Sequence, residues 1–276
     1  MLEKTSFHKN FDTDIIVANI GINREEWFCY KPGDDFSKIL ALMVKEKYDI
    51  VPSLNKRGDV AGYLYINEDE ELKSTQIEDS HKLYYRTHIH DVIWKMSEEE
   101  RDFYFLTHGR SGDNIIGLIS LCNFNCREFY IYLFSLLSFV ERELATMITY
   151  SYEEAFKILA KRANNGELKN QLKSVEERFY EDQQVNRDND FKEYLYLTQL
   201  LWLLCEQKGY KNLNYNNEAS FVGNTSMLKE IRNNVAHPVR SLVRNHKDLK
   251  NLRKGLDKLY ELKSKIENYK LSKLNA

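Results

Sequence analysis

Apolar residues recur at two different periods along this chain, and the change of period divides it. In residues 35–44, Phe36, Ile39, Leu40 and Met43 fall at helical spacing, after a Pro-Gly-Asp-Asp turn able to cap a helix. Residues 48–54 and 60–66 are rich in β-branched and aromatic side chains and flank a Gly-containing turn at 55–59, which predicts a hairpin. The same order then returns. Val92, Ile93 and Met96 mark a helix over 90–96, residues 102–106 a strand, 107–113 a turn and 114–121 a second strand. Two helix–strand–turn–strand units about 55 residues apart constitute an internal repeat, each too small to bury its own faces, so they are expected to pack together.

From residue 127 the period becomes helical. Tyr130, Leu133, Phe134, Leu137, Val140, Leu144 and Met147 predict a helix over 127–147. Further helices are expected over 153–163, 190–207 (ended by Gly209), 227–236 and 246–271. Short connections favour an up-and-down bundle. The fold class is therefore an α+β first part followed by an all-α second part, with the boundary near 123–128: residues 1–125 and residues 126–276.

Charge sharpens that division. The 276 residues carry 40 Lys and Arg against 42 Asp and Glu, a net of −2, which argues against a chain that is basic throughout. Residues 1–126 nevertheless hold 15 basic and 22 acidic side chains, and residues 127–276 hold 25 and 20. The last stretch, 239–276, carries 11 basic and 4 acidic ones. Arg240, Arg244, Lys247, Lys250, Arg253, Lys254 and Lys258 there are placed to track a nucleic-acid backbone, or to form a solvated helix face. Four cysteines (Cys29, Cys122, Cys126, Cys205) make neither a disulfide framework nor a paired metal signature, and no metal site is expected. His88, His90 and Asp91 read as the start of a helix. No apolar signal-peptide core stands at the N-terminus. The longest uncharged apolar stretch, 129–140, is shorter than the roughly 20 residues that span a membrane. A cytoplasmic protein without membrane segments is expected.

The residues of the repeat carry a resemblance. The first unit, 31–66, with Met43, the Asp49-Ile50-Val51-Pro52 strand, Gly58 and Val60-Ala61-Gly62, resembles a CBS motif. So does the second, 87–123, with Phe103-Tyr104-Phe105, Gly112 and Ile116-Gly117-Leu118-Ile119-Ser120. A CBS pair implies an adenine nucleotide held in the cleft between motifs. The family pattern of Gly, Thr or Ser, and Asp at the strand end falls on Gly117, Ser120 and Asn123, with Asn where Asp is usual. In the first unit it falls on Gly62, Tyr65 and Glu68, a poorer fit. Gly permits close backbone approach, a Ser hydroxyl can donate to phosphate and Asn can bond ribose hydroxyls.

The 227–236 helix ends in Lys229-Glu230-Ile231-Arg232-Asn233-Asn234-Val235-Ala236-His237-Pro238, with Leu228, Ile231 and Val235 on its apolar face. Pro238 disfavours a helical His237, so the imidazole can turn toward Arg232. Arg, a polar residue, three more residues and His on a late bundle helix resembles the HEPN domain, over about residues 127–270, with Glu141 where many members carry an acid. The resemblance implies a metal-independent endoribonuclease acting as a homodimer, with no cofactor for catalysis. His237 would be the acid or base at the 2′-hydroxyl, Arg232 the cation on the phosphate, and Asn233 the residue that orients the motif. His is the side chain best poised for proton transfer near neutral pH, and Arg grips phosphate bidentately. Such proteins commonly serve in bacterial defence or as toxins. The alternative is a non-catalytic, nucleotide-responsive dimerisation or partner-binding protein. Tyr194, Tyr196, Trp202, Tyr210 and Tyr215 can stack on bases or fill the core.

Overall fold

The computed structural model describes residues 15–109, 114–163, 166–185, 190–236 and 241–274. These divide into two compact units: Met1–Phe129 with Val243–Lys250, and Tyr130–Leu242 with Asn251–Ala276.

In the first unit the repeat is present as expected. Strand β1 (Ile22–Asn23) precedes helix α1 (Phe36–Glu46), whose N-cap Asp35 accepts from the Ser37 amide. Strands β2 (Ile50–Leu54) and β3 (Val60–Ile66) form the first hairpin. In the second repeat, β5 (Lys82–Tyr84) leads into helix α2 (Ile89–Glu99), and β6 (Phe103–Thr107) pairs antiparallel with β7 (Ile115–Ser120). The repeats match in a further respect: β5 runs parallel to β6, and an isolated parallel bridge joins Tyr30 to Ser53 of β2. Each helix is thus preceded by an extended segment lying parallel to the strand that follows it.

Between the repeats stands β4 (Leu72–Gln76), which pairs with β3 and makes one sheet of order β2-β3-β4; the other is β1-β7-β6-β5. Sequence periodicity does not indicate β4, because its Leu-Lys-Ser-Thr-Gln run is mostly exposed and lacks apolar alternation. The hairpin β3 is buried on both faces. Leu64 packs with Ile39, Met43 and Val51 under α1, whereas Tyr63 packs with Phe105, Ile115 and Leu118 of the second repeat.

The second unit is helical: α3 (Arg127–Thr146, beginning in the first unit), α4 (Tyr152–Arg162), α5 (Gly166–Gln184), α6 (Leu197–Glu206), α7 (Glu218–Ala236) and α8 (His246–Leu274). Four features differ from the sequence expectation. Helix α7 begins at Glu218, nine residues before the expected start at 227. Helix α5 was not expected: its apolar Leu168, Leu172, Val175 and Phe179 are spaced for a helix but diluted by polar residues. The helix expected over 190–207 is interrupted. Asp190 caps a short 3-10 turn at Phe191–Tyr194, then Leu195 and Tyr196 are extended before α6 begins. Finally, Val243–Lys250 packs with the first unit rather than with the helices. The Asn125 side chain clamps the Val243 backbone, donating to its carbonyl at 2.6 Å and accepting from its amide at 3.0 Å, and His246 pairs with Asp102 at 2.8 Å.

Helix α6 is apolar all round, with Leu197, Leu200, Leu201, Leu203, Leu204 and Cys205 buried, and it packs against α4 and α7. Helices α7 and α8 approach closely where Gly255 meets Ile231; a β-carbon at Gly255 would lie 2.2 Å from the Ile231 Cδ1.

Two glycines test this packing in opposite directions. A β-carbon at Gly62 would lie 2.4 Å from the Thr75 carbonyl oxygen of β4, whereas Gly223 in α7 faces open space. Gly62→Ala is expected to destabilise the first unit by about 1–3 kcal/mol in denaturant titration. Gly223→Ala is expected to leave the second unit unchanged or raise its stability by up to about 1 kcal/mol.

Candidate functional site

The strand end of the second repeat brings Ser120 and Asn123 together, but for one another, while Gly117 faces β1. Ser120 donates to Asn123 Oδ1 from its amide at 2.7 Å and from its hydroxyl at 3.1 Å. Asn123 Nδ2 donates to the Ile20 carbonyl at 2.9 Å, and the side chain is buried. These bonds occupy the Oδ1 acceptor and one of the two N–H groups of the amide. Gly117 sits opposite Asn23 of β1, and a β-carbon there would lie 3.0 Å from the Ile22 carbonyl. Its small size serves the approach of β1.

An open hollow of about 520 Å³ lies instead on the sheet of the first repeat. Ser53, Ala61, Gly62, Ser74, Thr75 and Gln76 line it, so its polar surface is hydroxyl, amide and backbone, without a charged side chain. Two of the three strands that build it are legible in the sequence; the contribution of β4 is not.

In the helical unit, two sequence-chosen residues meet. Arg232, on the last turns of α7, places Nε 3.5 Å from Glu141 Oε1 on α3, with the two side chains 33% and 26% exposed. That carboxylate oxygen is buried and has no hydrogen bond in addition to this ion pair. Burial raises the Glu141 pKa above the usual carboxylate range, and Arg232 offsets the rise only in part. Asn233, next to Arg232, has an exposed side chain. His237 lies outside the described residues, as do Pro238 and Arg240.

Two residues join this pair that periodicity does not single out. The Arg232 guanidinium lies 5.5 Å from the ring centroid of Tyr196, the residue that caps α6. Arg178 of α5 lies 5.8 Å from the same centroid and donates through Nη2 to the Tyr196 hydroxyl at 3.3 Å. Tyr196 belongs to the run of aromatic residues over 194–215, of which Tyr210 and Tyr215 are buried core residues. No sequence signal marks Arg178.

The basic 239–276 segment is less available than its composition suggests. Arg244 pairs with Asp248, Lys250 with Glu100, Arg253 with Asp257 and Lys258 with Glu261. Among the described residues no group of His, Cys, Asp and Glu is arranged to hold a metal ion, and no helix is long and apolar enough to cross a membrane. His88 occupies the N-cap position of α2, yet its side chain makes no capping bond.

The raised Glu141 pKa fixes the sign of a pH effect. A carboxyl whose folded pKa lies above its unfolded value supports the fold below the unfolded pKa, and that support is lost as pH rises through the folded pKa. Glu141→Gln does not titrate. Its melting temperature relative to wild type is therefore expected to rise as the pH is raised above about 4, the ordinary carboxylate value. A difference that is flat or falls with pH excludes a desolvated Glu141.

No family model matches the chain, and no curated protein matches it. Solved structures of CBS domains do match part of it. CBSX2 in complex with AMP is 15% identical, covering 39% of this chain and 91% of that one, with a TM-score of 0.32. The CBS domain of the bacterial CNNM/CorC family Mg2+ transporter in complex with ATP is 16% identical over 41% of this chain and 86% of that one, also with a TM-score of 0.32. The CBS domains of a transcriptional regulator from Streptococcus pneumoniae are 19% identical over 38% and 92%, with a TM-score of 0.31. Similarity at this level is similarity of local chain course, and no residue role is carried across from these proteins.

Proposed function

We propose that this chain is a nucleotide-responsive endoribonuclease, with an adenine nucleotide bound by the paired-repeat unit and RNA cut at the helical unit. The observation that carries the reading is the convergence of Glu141 and Arg232 at 3.5 Å from two helices far apart in sequence, at the end of α7 that leads into His237. The chemistry is transesterification. The RNA 2′-hydroxyl attacks its own phosphate, His237 takes or supplies the proton, and Arg232 neutralises the charge that develops on the phosphoryl oxygens. The 5′-oxygen leaves and a 2′,3′-cyclic phosphate forms. Glu141 stands beside the guanidinium and answers its charge in a partly buried place.

The nucleotide half of the reading is supported by the repeat and by the neutral hollow around Gly62, whose hydroxyls and backbone suit a sugar or a base edge. The homodimer is supported by α3, which exposes the large apolar side chains of Ile131 and Phe134, 52% and 61% accessible.

A second reading has an observation of its own. Glu141 and Arg232 pair with each other across two helices, as a purely structural ion pair does, and this fits a non-catalytic nucleotide-responsive partner protein.

Cleavage of mixed single-stranded RNA in the presence of EDTA separates the two. The enzymatic reading expects cyclic-phosphate ends from wild type. It expects at least a 100-fold loss in His237→Ala and Arg232→Ala, the scale of general acid–base and electrostatic contributions, and no reaction with DNA. Equal rates in wild type and both variants exclude it. Calorimetric titration with AMP, ADP and ATP reads the first unit; absence of heat with all three excludes the nucleotide part. Phe134→Asp is expected to convert a dimer to a monomer in light scattering.

A further inference from the structure

Two helices of the helical unit deliver side chains to one ring. Tyr196 is fixed by its backbone: its carbonyl accepts from the Gln199 and Leu200 amides at 2.8 and 3.0 Å, and its amide donates to Gln199 Oε1 at 2.9 Å. The helix it caps is buried almost throughout, and the ring itself is half-buried. Arg232 approaches that ring from α7 and Arg178 from α5. The distances of the two guanidinium carbons to the one centroid, 5.5 and 5.8 Å, bound the separation of the charges at their sum.

The charges around this ring do not balance. Glu141 answers Arg232. Among the described residues Arg178 forms no ion pair with the acids of its own helix: Glu176 and Asp182 accept from the Tyr152 and Tyr194 hydroxyls, Glu177 pairs with Lys173, and Glu181, one turn on, is exposed. Arg178 is exposed, and its other contact is the Ser174 carbonyl one turn earlier, at 3.3 Å from Nε. One positive charge is therefore left over beside a half-buried ring, held in place by a hydrogen bond and a cation–π contact. A guanidinium held this way is preorganised for a bidentate phosphate.

We propose that Arg178 binds a non-scissile phosphate of single-stranded RNA next to the one held by Arg232, and that Tyr196 sets the spacing between the two guanidinium groups. The substrate class is a flexible strand with phosphates at close intervals, and Tyr196 is a positioning residue. The inference rests on the RNA reading of the helical unit, but its test does not need cleavage.

A fluorescein-labelled, uniformly 2′-O-methylated single strand lacks the attacking hydroxyl, so anisotropy with the full chain reads binding alone. Arg178→Gln is expected to weaken binding about fivefold and to lower the slope of log Kd against log salt by about 0.7, the share of one phosphate on a single strand. Arg178→Lys should restore the salt slope. Tyr196→Leu should weaken binding although Arg178 remains, and Tyr196→Phe should do so less. Arg162→Gln, whose guanidinium is engaged by Glu206 at 3.0 Å, is the control and should bind as wild type. Unchanged affinity and slope in Arg178→Gln overturns the proposal, as does equal weakening in Arg162→Gln, which marks diffuse attraction. Binding that depends on Arg178 without cleavage of unmodified RNA supports the phosphate site and removes the ribonuclease reading, so the two can fail separately.

Discussion

Strand β3 has to be covered on both faces. Its alternation sends Leu64 one way and Tyr63 the other, and each repeat supplies a cover for one face only. Helix α1 closes over Leu64 through Ile39 and Met43, within the first repeat. Tyr63 needs Phe105, Ile115 and Leu118, which the second repeat alone provides. The pairing of the repeats follows from that requirement. So does the absence of a β-carbon at Gly62, since β4 must come close enough to cover the remaining edge.

The helical unit has its own constraint in α6. A helix that is apolar all round has to be surrounded, and α4 and α7 lie against it. Its first residue is therefore one of the most firmly placed points near the surface of the unit, and Tyr196 stands immediately before it. Helix α7 is held from another direction by the Gly255–Ile231 contact with α8, one residue from Arg232. A candidate site built from Glu141, Tyr196 and Arg232 thus rests on packed elements, with the Arg178 side chain reaching in from the more polar α5.

The Ser120 and Asn123 geometry shows how a binding pattern and a capping pattern coincide. Ser at a strand end followed three residues later by Asn suits a sugar–phosphate ligand. It suits equally the closure of a 3-10 turn, and here the turn has taken both acceptor sites of the amide. The polar side chains of β4 behave conversely. They carry no periodic signal and no motif, yet Ser74, Thr75 and Gln76 form much of the hollow because pairing with β3 brings them there.

Local pattern determined the repeat, the two hairpins, the helices α3, α4 and α8 close to their observed ends, and the change from α+β to all-α near residue 126, because each depends on side-chain period and turn chemistry within a short window. It also marked Arg232 and Glu141 separately. Tertiary structure decided what those windows do not contain. It showed that Glu141 reaches Arg232, that a second arginine shares the Tyr196 ring, and that Val243–Lys250 leaves the helical part to pack with the first unit. The charge count likewise suggested a basic tail open to solvent, whereas much of that charge is answered by Asp and Glu side chains on the same helix or across the fold. Such outcomes depend on distances between residues remote in sequence, and only packing sets those.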